Sequence, residues 1–240
     1  MNRTGITVYW RENQAGCKGV CDSFLVENLS SESDPSLCNG ERCFDGILLR
    51  GIKEKIEFAR GDVLIVLHML GNHGPAYYQR YPEEFRRFTP TCDTTDLDSC
   101  SRVALINTYD NAILYTDHVL AKLIADLKGI TTHDTGMLYV SDHGESLGEK
   151  NLYLHGIPHV FAPREQTHVP MIMWLSPDFM ADQQLDGACL DRLASTQAVS
   201  HDYLIHTLLQ LFDIQTMSYE PALDLTATCT AQPLQDLSQI

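Results

Sequence analysis

Apolar residues along this chain switch between the spacing of a strand and that of a helix, and each switch marks an element. Ile6 to Trp10 is a short β-rich run, followed by a polar, cysteine-bearing segment to about Arg42. Phe44, Ile47, Leu48, Ile52, Ile56 and Ala59 recur at helical spacing, with Gly61 as the stop. Asp62 to His68 reads as a buried strand, residues 89 to 100 as a loop, and Ser101 to Lys128 as a long amphipathic helix. The apolar side expected for that helix is Ile106, Tyr109, Ile113, Thr116, Leu120, Leu123 and Leu127. Gly136 to Ser141 and Val169 to Leu175 predict a third and a fourth strand. Ala198 to Phe212 predicts a helix, with Leu204, Leu208, Leu211 and Phe212 on its apolar side. From Met217 to Ile240 no period is visible, and a loosely held tail is expected. Strands alternating with helices predict an α/β fold with a mainly parallel sheet. No internal repeat and no Pro-, Gly- or Ser-rich linker divides the chain, so a single domain over residues 1–240 is expected.

Charge narrows the function classes. There are 17 Lys and Arg against 32 Asp and Glu, a net charge of −15. Such a surface repels phosphate backbones and offers no basic patch to an anionic membrane, so nucleic acid is not the expected partner. At 44% hydrophobic, the 240 residues can bury a full core. No apolar run approaches the ~18 residues of a membrane helix; the longest, Val63 to Leu70, contains His68. The first residues, Met1 to Ile6, lack the features of a secretory signal, and the chain as written is expected to be soluble.

Eight cysteines fall as Cys17 with Cys21, Cys38 with Cys43, Cys92 with Cys100, and the distant Cys189 and Cys229. None of these spacings is the C-x2-C knuckle of a zinc ribbon, and the close pairs lie in polar, loop-like sequence. Disulfides between neighbours, and an oxidising compartment, are therefore expected, with Cys189–Cys229 as the remainder.

The candidate chemistry sits at strand ends. The run Met137-Leu-Tyr-Val-Ser-Asp-His-Gly-Glu-Ser-Leu-Gly-Glu149 places Asp142 and His143 side by side where a strand stops. In an α/β sheet, ligands collect beyond the carboxyl ends of the strands. An adjacent carboxylate and imidazole suit zinc, which takes both donor types. Gly71-Asn-His-Gly-Pro75 follows the second buried strand and supplies His73, and Tyr153-Leu-His-Gly-Ile-Pro158 supplies His155. Together these are parts for a metal-assisted phosphoryl or sulfuryl transfer.

Three segments carry a resemblance to a family: Leu67-His-Met-Leu-Gly-Asn-His-Gly-Pro-Ala-Tyr77, Tyr139-Val-Ser-Asp-His-Gly-Glu-Ser-Leu-Gly-Glu149 and Tyr153-Leu-His-Gly-Ile-Pro158. They resemble the catalytic domain of bacterial lipid A phosphoethanolamine transferases of the colistin-resistance type, within the alkaline phosphatase and sulfatase superfamily. The likeness runs from about Ile6 to Phe212, through Gly16-Cys-Lys-Gly-Val-Cys-Asp22. It implies an alkaline phosphatase-like fold, with a mainly parallel central sheet flanked by helices and incomplete on its N-terminal side. It implies that Asp142 and His143 bind a catalytic zinc, and that His73 and His155 serve the substrate phosphate or a second zinc. His68, inside its strand, is read as structural. The implied reaction takes phosphoethanolamine from phosphatidylethanolamine to a lipid A phosphate through a covalent intermediate on a threonine. That threonine and a further carboxylate ligand are expected upstream of Met1, since no threonine of the chain lies in a comparable strand-to-helix context and Thr4 and Thr7 are too near the start. The implied setting is the periplasmic face of the inner membrane, reached through N-terminal membrane helices of a longer parent. The alternatives are another member of the superfamily, such as a sulfatase or phosphoglycerol transferase, or a truncated chain without activity.

Overall fold

The computed structural model describes residues 5–235, so Thr4 and the last five positions of the expected tail lie outside the described residues. In chain order the regular elements are β1 (Thr7–Glu12), β2 (Leu25–Asn28), α1 (Ile52–Glu57), β3 (Val63–His68), α2 (Arg102–Lys128) and β4 (Gly136–Val140). They continue with β5 (Ser146–Leu147), β6 (Tyr153–Leu154), α3 (Arg164–Thr167), β7 (Met171–Leu175), α4 (Pro177–Asp182), α5 (Gly187–Thr196) and α6 (Tyr203–Leu211). Within the region expected to be one domain, the contacts define two compact units. One holds the chain up to Gly129 together with His143–Pro170, and the other holds Ile130–Asp142 with the chain from Met171 onward.

The first unit is built on a parallel sheet of order β2-β1-β3. Tyr9 stands opposite Leu25 on one side and Ile65 on the other. The helical spacing of residues 44–59 is broken in two. A 3-10 turn over Asp45–Leu49 comes first, and α1 starts only after Gly51, whose φ of 70° is left-handed. The predicted apolar positions are still the buried ones: Ile47, Leu48, Ile52 and Ile56.

Helix α2 begins where Ser101 caps it, its side chain accepting from Ala104 N at 3.2 Å. Its buried face differs from the expected one. Ile113 is exposed, while Thr108 and Asn111 are fully buried. Those two side chains hold the backbone of the preceding loop, which is why a count of apolar residues misses them. Asn111 accepts from Arg87 N and Phe88 N, both at 2.8 Å, and Thr108 accepts from Cys92 N at 2.7 Å.

In the second unit β4 and β7 pair antiparallel, Gly136 opposite Leu175 and Val140 opposite Met171. Periodicity reports burial, not strand direction, so the sequence reading carried no warning of it. The fold class holds: a mixed α/β protein with a parallel sheet and flanking helices. The expected helix over 198–212 is shorter, starting at Tyr203. Helices α4 and α5 were not foreseen, although Ser176 caps one through Phe179 N and Asp186 caps the other through Ala188 N and Cys189 N.

The described part of the expected loose tail is anchored. Tyr219, Asp224, Thr226, Cys229 and Leu234 are all buried. Tyr219 donates to Asp224 at 2.7 Å, and Asp224 accepts from both the backbone and the hydroxyl of Thr226 at 2.8 Å. Side-chain hydrogen bonds and the Cys189–Cys229 disulfide hold this segment, and neither leaves a periodic trace. Cys17–Cys21, Cys38–Cys43 and Cys92–Cys100 are bonded as well. Among the described residues no helix is long and apolar enough to cross a membrane.

Candidate metal and phosphoryl site

The site lies in the first unit, on the loops beyond β3 and around β5 and β6. The loop leaving β3 is tied down by Asp45, which accepts from Leu70 N at 2.9 Å and Gly71 N at 2.7 Å. Asp45 is buried, and that burial raises its pKa against these hydrogen bonds. His73 and Gly74 follow. A Cβ on Gly74 would stand 2.5 Å from a Leu154 methyl and 2.6 Å from the Tyr77 hydroxyl, so only glycine fits. Gly144, just after His143, is equally confined: a Cβ there would meet Glu165 O at 2.1 Å. Leu154, immediately before His155, has a φ of 63°, a left-handed conformation that a branched side chain rarely takes. Its carbonyl is held by Gln166 Nε2 at 2.9 Å.

These loops bring His73, His143 and His155 together, with one ligand atom of each within 4.8 Å of the others. The His143 and His155 rings stack at 3.8 Å between centroids, and His73 meets His155 edge-on at 4.8 Å. Each ring is oriented from the same side. His73 Nδ1 bonds Gly74 O at 2.7 Å, His143 Nδ1 bonds Gly144 O at 3.0 Å, and His155 Nδ1 bonds Glu145 Oε1 at 2.7 Å. A carbonyl or carboxylate oxygen only accepts, so each Nδ1 is the donor. In a neutral imidazole held this way the lone pair lies on Nε2. Backbone or carboxylate acceptors behind the ring are the usual arrangement behind metal-binding histidines.

Glu145 is the residue the sequence reading missed. It is buried, and besides His155 it accepts from the Tyr77 hydroxyl at 2.8 Å. Burial, then the charge of Glu145, holds Tyr77 far above the ordinary tyrosine pKa, so it remains a donor. The available signal was an acidic residue two places after a candidate ligand, where carboxylates often buttress histidine. His68, by contrast, ends β3 against Trp10 at 5.2 Å and lies 3.8 Å from Glu12. Arg80 adds positive charge at the rim: its Nε donates to His73 O at 2.7 Å. Its pKa is lowered to about 10, by burial first and then by Arg42.

The donor set fits a divalent metal such as zinc, because three imidazoles bring one ligand nitrogen each within 4.8 Å of the others. Asp142, next to His143 in the chain, belongs by its contacts to the second unit, and the histidine group does not include it.

Residues 1–214 match the sulfatase family. The chain belongs to that family. It is 46% identical over 95% of its length to phosphoethanolamine transferase EptA of Salmonella typhimurium, and spans 42% of that protein. It is 41% identical over 89% of its length to phosphatidylethanolamine transferase Mcr-2 of Escherichia coli, spanning 39% of it. Among solved structures, the soluble domain of lipooligosaccharide phosphoethanolamine transferase A from Neisseria meningitidis superposes with a TM-score of 0.92. That structure is 41% identical, and the match covers 96% of this chain and 70% of the other. The chain thus spans well under half the length of its curated relatives.

Proposed function

We propose that this sulfatase-family chain carries part of the catalytic centre of a zinc-dependent phosphoethanolamine transferase. The donor is phosphatidylethanolamine, the acceptor a lipid A phosphate, and the reaction proceeds by two displacements through a covalent intermediate. The whole protein works at the periplasmic face of the inner membrane. The observation that carries the reading is the gathering of three imidazoles, each donating from Nδ1 to an oxygen and each with a ligand nitrogen within 4.8 Å of the others.

In this reading His143 Nε2 and the carboxylate of Asp142 hold the catalytic zinc. His73 and His155 face the phosphoryl group or hold a second zinc. Zinc, when bound, polarises a phosphoryl oxygen and offsets its charge. The residues present in this chain position groups and move protons. Glu145 fixes His155 with its proton on Nδ1 and supports the imidazolium that forms when Nε2 takes the proton of the attacking hydroxyl. His155 Nε2 can then return that proton to a departing oxygen. Gly74 and Gly144 let the loop backbones approach closely enough for the rings to meet.

The test is zinc content by elemental analysis. Asp142→Ala and His143→Ala should each remove most of the bound zinc, while His73→Ala and His155→Ala should each retain the tighter ion. Full zinc in both of the first two variants contradicts the assignment.

A further inference from the structure

Two arginines at the carboxyl edge of the parallel sheet have no assigned role. Arg42 precedes Cys43 at the base of the loop held by Asp45, and Arg80 reaches back to His73 O. Arg80 Nη1 and Arg42 Nε are buried and have no hydrogen-bond partner among the described residues. Burial first, and then the charge of Arg42, lowers the Arg80 pKa, against Asp45 and Glu145, which raise it. The carboxylates nearby are engaged elsewhere. Asp45 is bonded to Asn13, Leu70 N and Gly71 N, and Glu145 to His155 and Tyr77. Buried donors are normally satisfied, and like charges are brought together at a cost. An oxyanion between them would answer both conditions.

We propose that Arg42 and Arg80 form a seat for a phosphoryl oxyanion, adjoining the histidine group and independent of metal. Guanidinium groups suit this ligand because their fixed donors match the several oxygens of a phosphate and keep their charge when buried. The seat stands at the sheet edge where ligands of α/β folds collect. That the anion belongs to a transfer substrate rests on the function proposed above; that the arginines bind it does not.

The experiment titrates the 240-residue chain, in chelator, with inorganic phosphate and with O-phosphoethanolamine, using acetate as the carboxylate control. Binding is read from the arginine Nε–H resonances and by calorimetry. Both phosphoryl ligands should shift the Arg42 and Arg80 signals, and acetate should not. Arg42→Gln should weaken binding about tenfold or more, as expected for losing a charged hydrogen bond. Arg42→Lys, which keeps the charge and loses Nε, should fall between. The His73→Ala/His155→Ala double variant should lower the overall affinity but keep the shifts of the arginine signals, which separates this seat from the histidine reading. A stronger response to O-phosphoethanolamine than to phosphate points to a substrate headgroup, and equal responses to a free phosphate. The proposal is overturned if the wild-type arginine signals do not move, if acetate moves them equally, or if binding vanishes only with the histidines.

Discussion

Glu145 and Asp224 are both buried carboxylates bonded to a buried tyrosine, one in each unit, and their remaining bonds lead in opposite directions. In the first unit, Glu145 accepts from Tyr77 and turns its other oxygen to His155, a ring on the site surface. In the second, Asp224 accepts from Tyr219 and spends its other oxygen on Thr226, itself buried. Burial holds both tyrosines above their ordinary pKa, helped in each case by the neighbouring carboxylate. The chemistry of the pair is therefore the same, and what it is connected to decides what it does. One pair orients the His155 ring, and the other fastens a chain segment that has no periodic core.

The largest difference should come from the disulfide beside the second pair. Replacing Cys189 and Cys229 by serine should cost about 2–5 kcal/mol of stability, because the bond closes a long loop; denaturant unfolding measures this. Zinc affinity of the folded variant should not change.

Glu145→Ala should do the reverse. Losing the acceptor behind His155 should weaken a second, looser zinc about 10–100-fold, as for a metal-binding histidine, and leave the tighter ion in place; calorimetry with zinc reads both. Asp224→Ala leaves Tyr219 and Thr226 without their partner, at about 1–3 kcal/mol, and should leave zinc affinity intact. If Asp224→Ala lowers zinc affinity as much as Glu145→Ala does, the contrast between the two carboxylates is wrong.

The smallest effect is alkaline. Tyr115 accepts from Gly46 N at 3.1 Å, and burial pushes its pKa up to about 12 from 10.0. The folded chain keeps this proton after the unfolded chain has lost it. Its contribution to stability is whole below pH 10.0 and is lost as pH rises through about 12. Tyr115→Phe should flatten that limb of the stability profile, and thermal melts across the interval check it.

How much of this could be read from the sequence follows the same division. Strand β3 and helix α2 declared themselves through apolar spacing, Ser101 and the glycine beyond Lys128. His73, His143 and His155 were found because each sits beside glycine in a loop near a strand. Their meeting in one group was not visible, since it depends on the close approaches at Gly74 and Gly144. Glu145, Thr108 and Asn111 were missed for one shared reason: each is a polar residue buried for its hydrogen bonds, and apolar periodicity has no symbol for that. The segment from Tyr219 to Leu234 looked loose on the same account. Strand direction in β4 and β7 was beyond any spacing rule.

The geometry at the centre of the site holds His73, His143 and His155 with the proton on Nδ1. Nitrogen-edited NMR of the imidazoles, before and after zinc, tests it most directly. The account predicts Nδ1–H tautomers at all three rings without metal, and zinc-induced shifts at Nε2 of His143, with its Nδ1–H retained. Nε2–H tautomers at these rings, or zinc shifts at Nδ1, would contradict it.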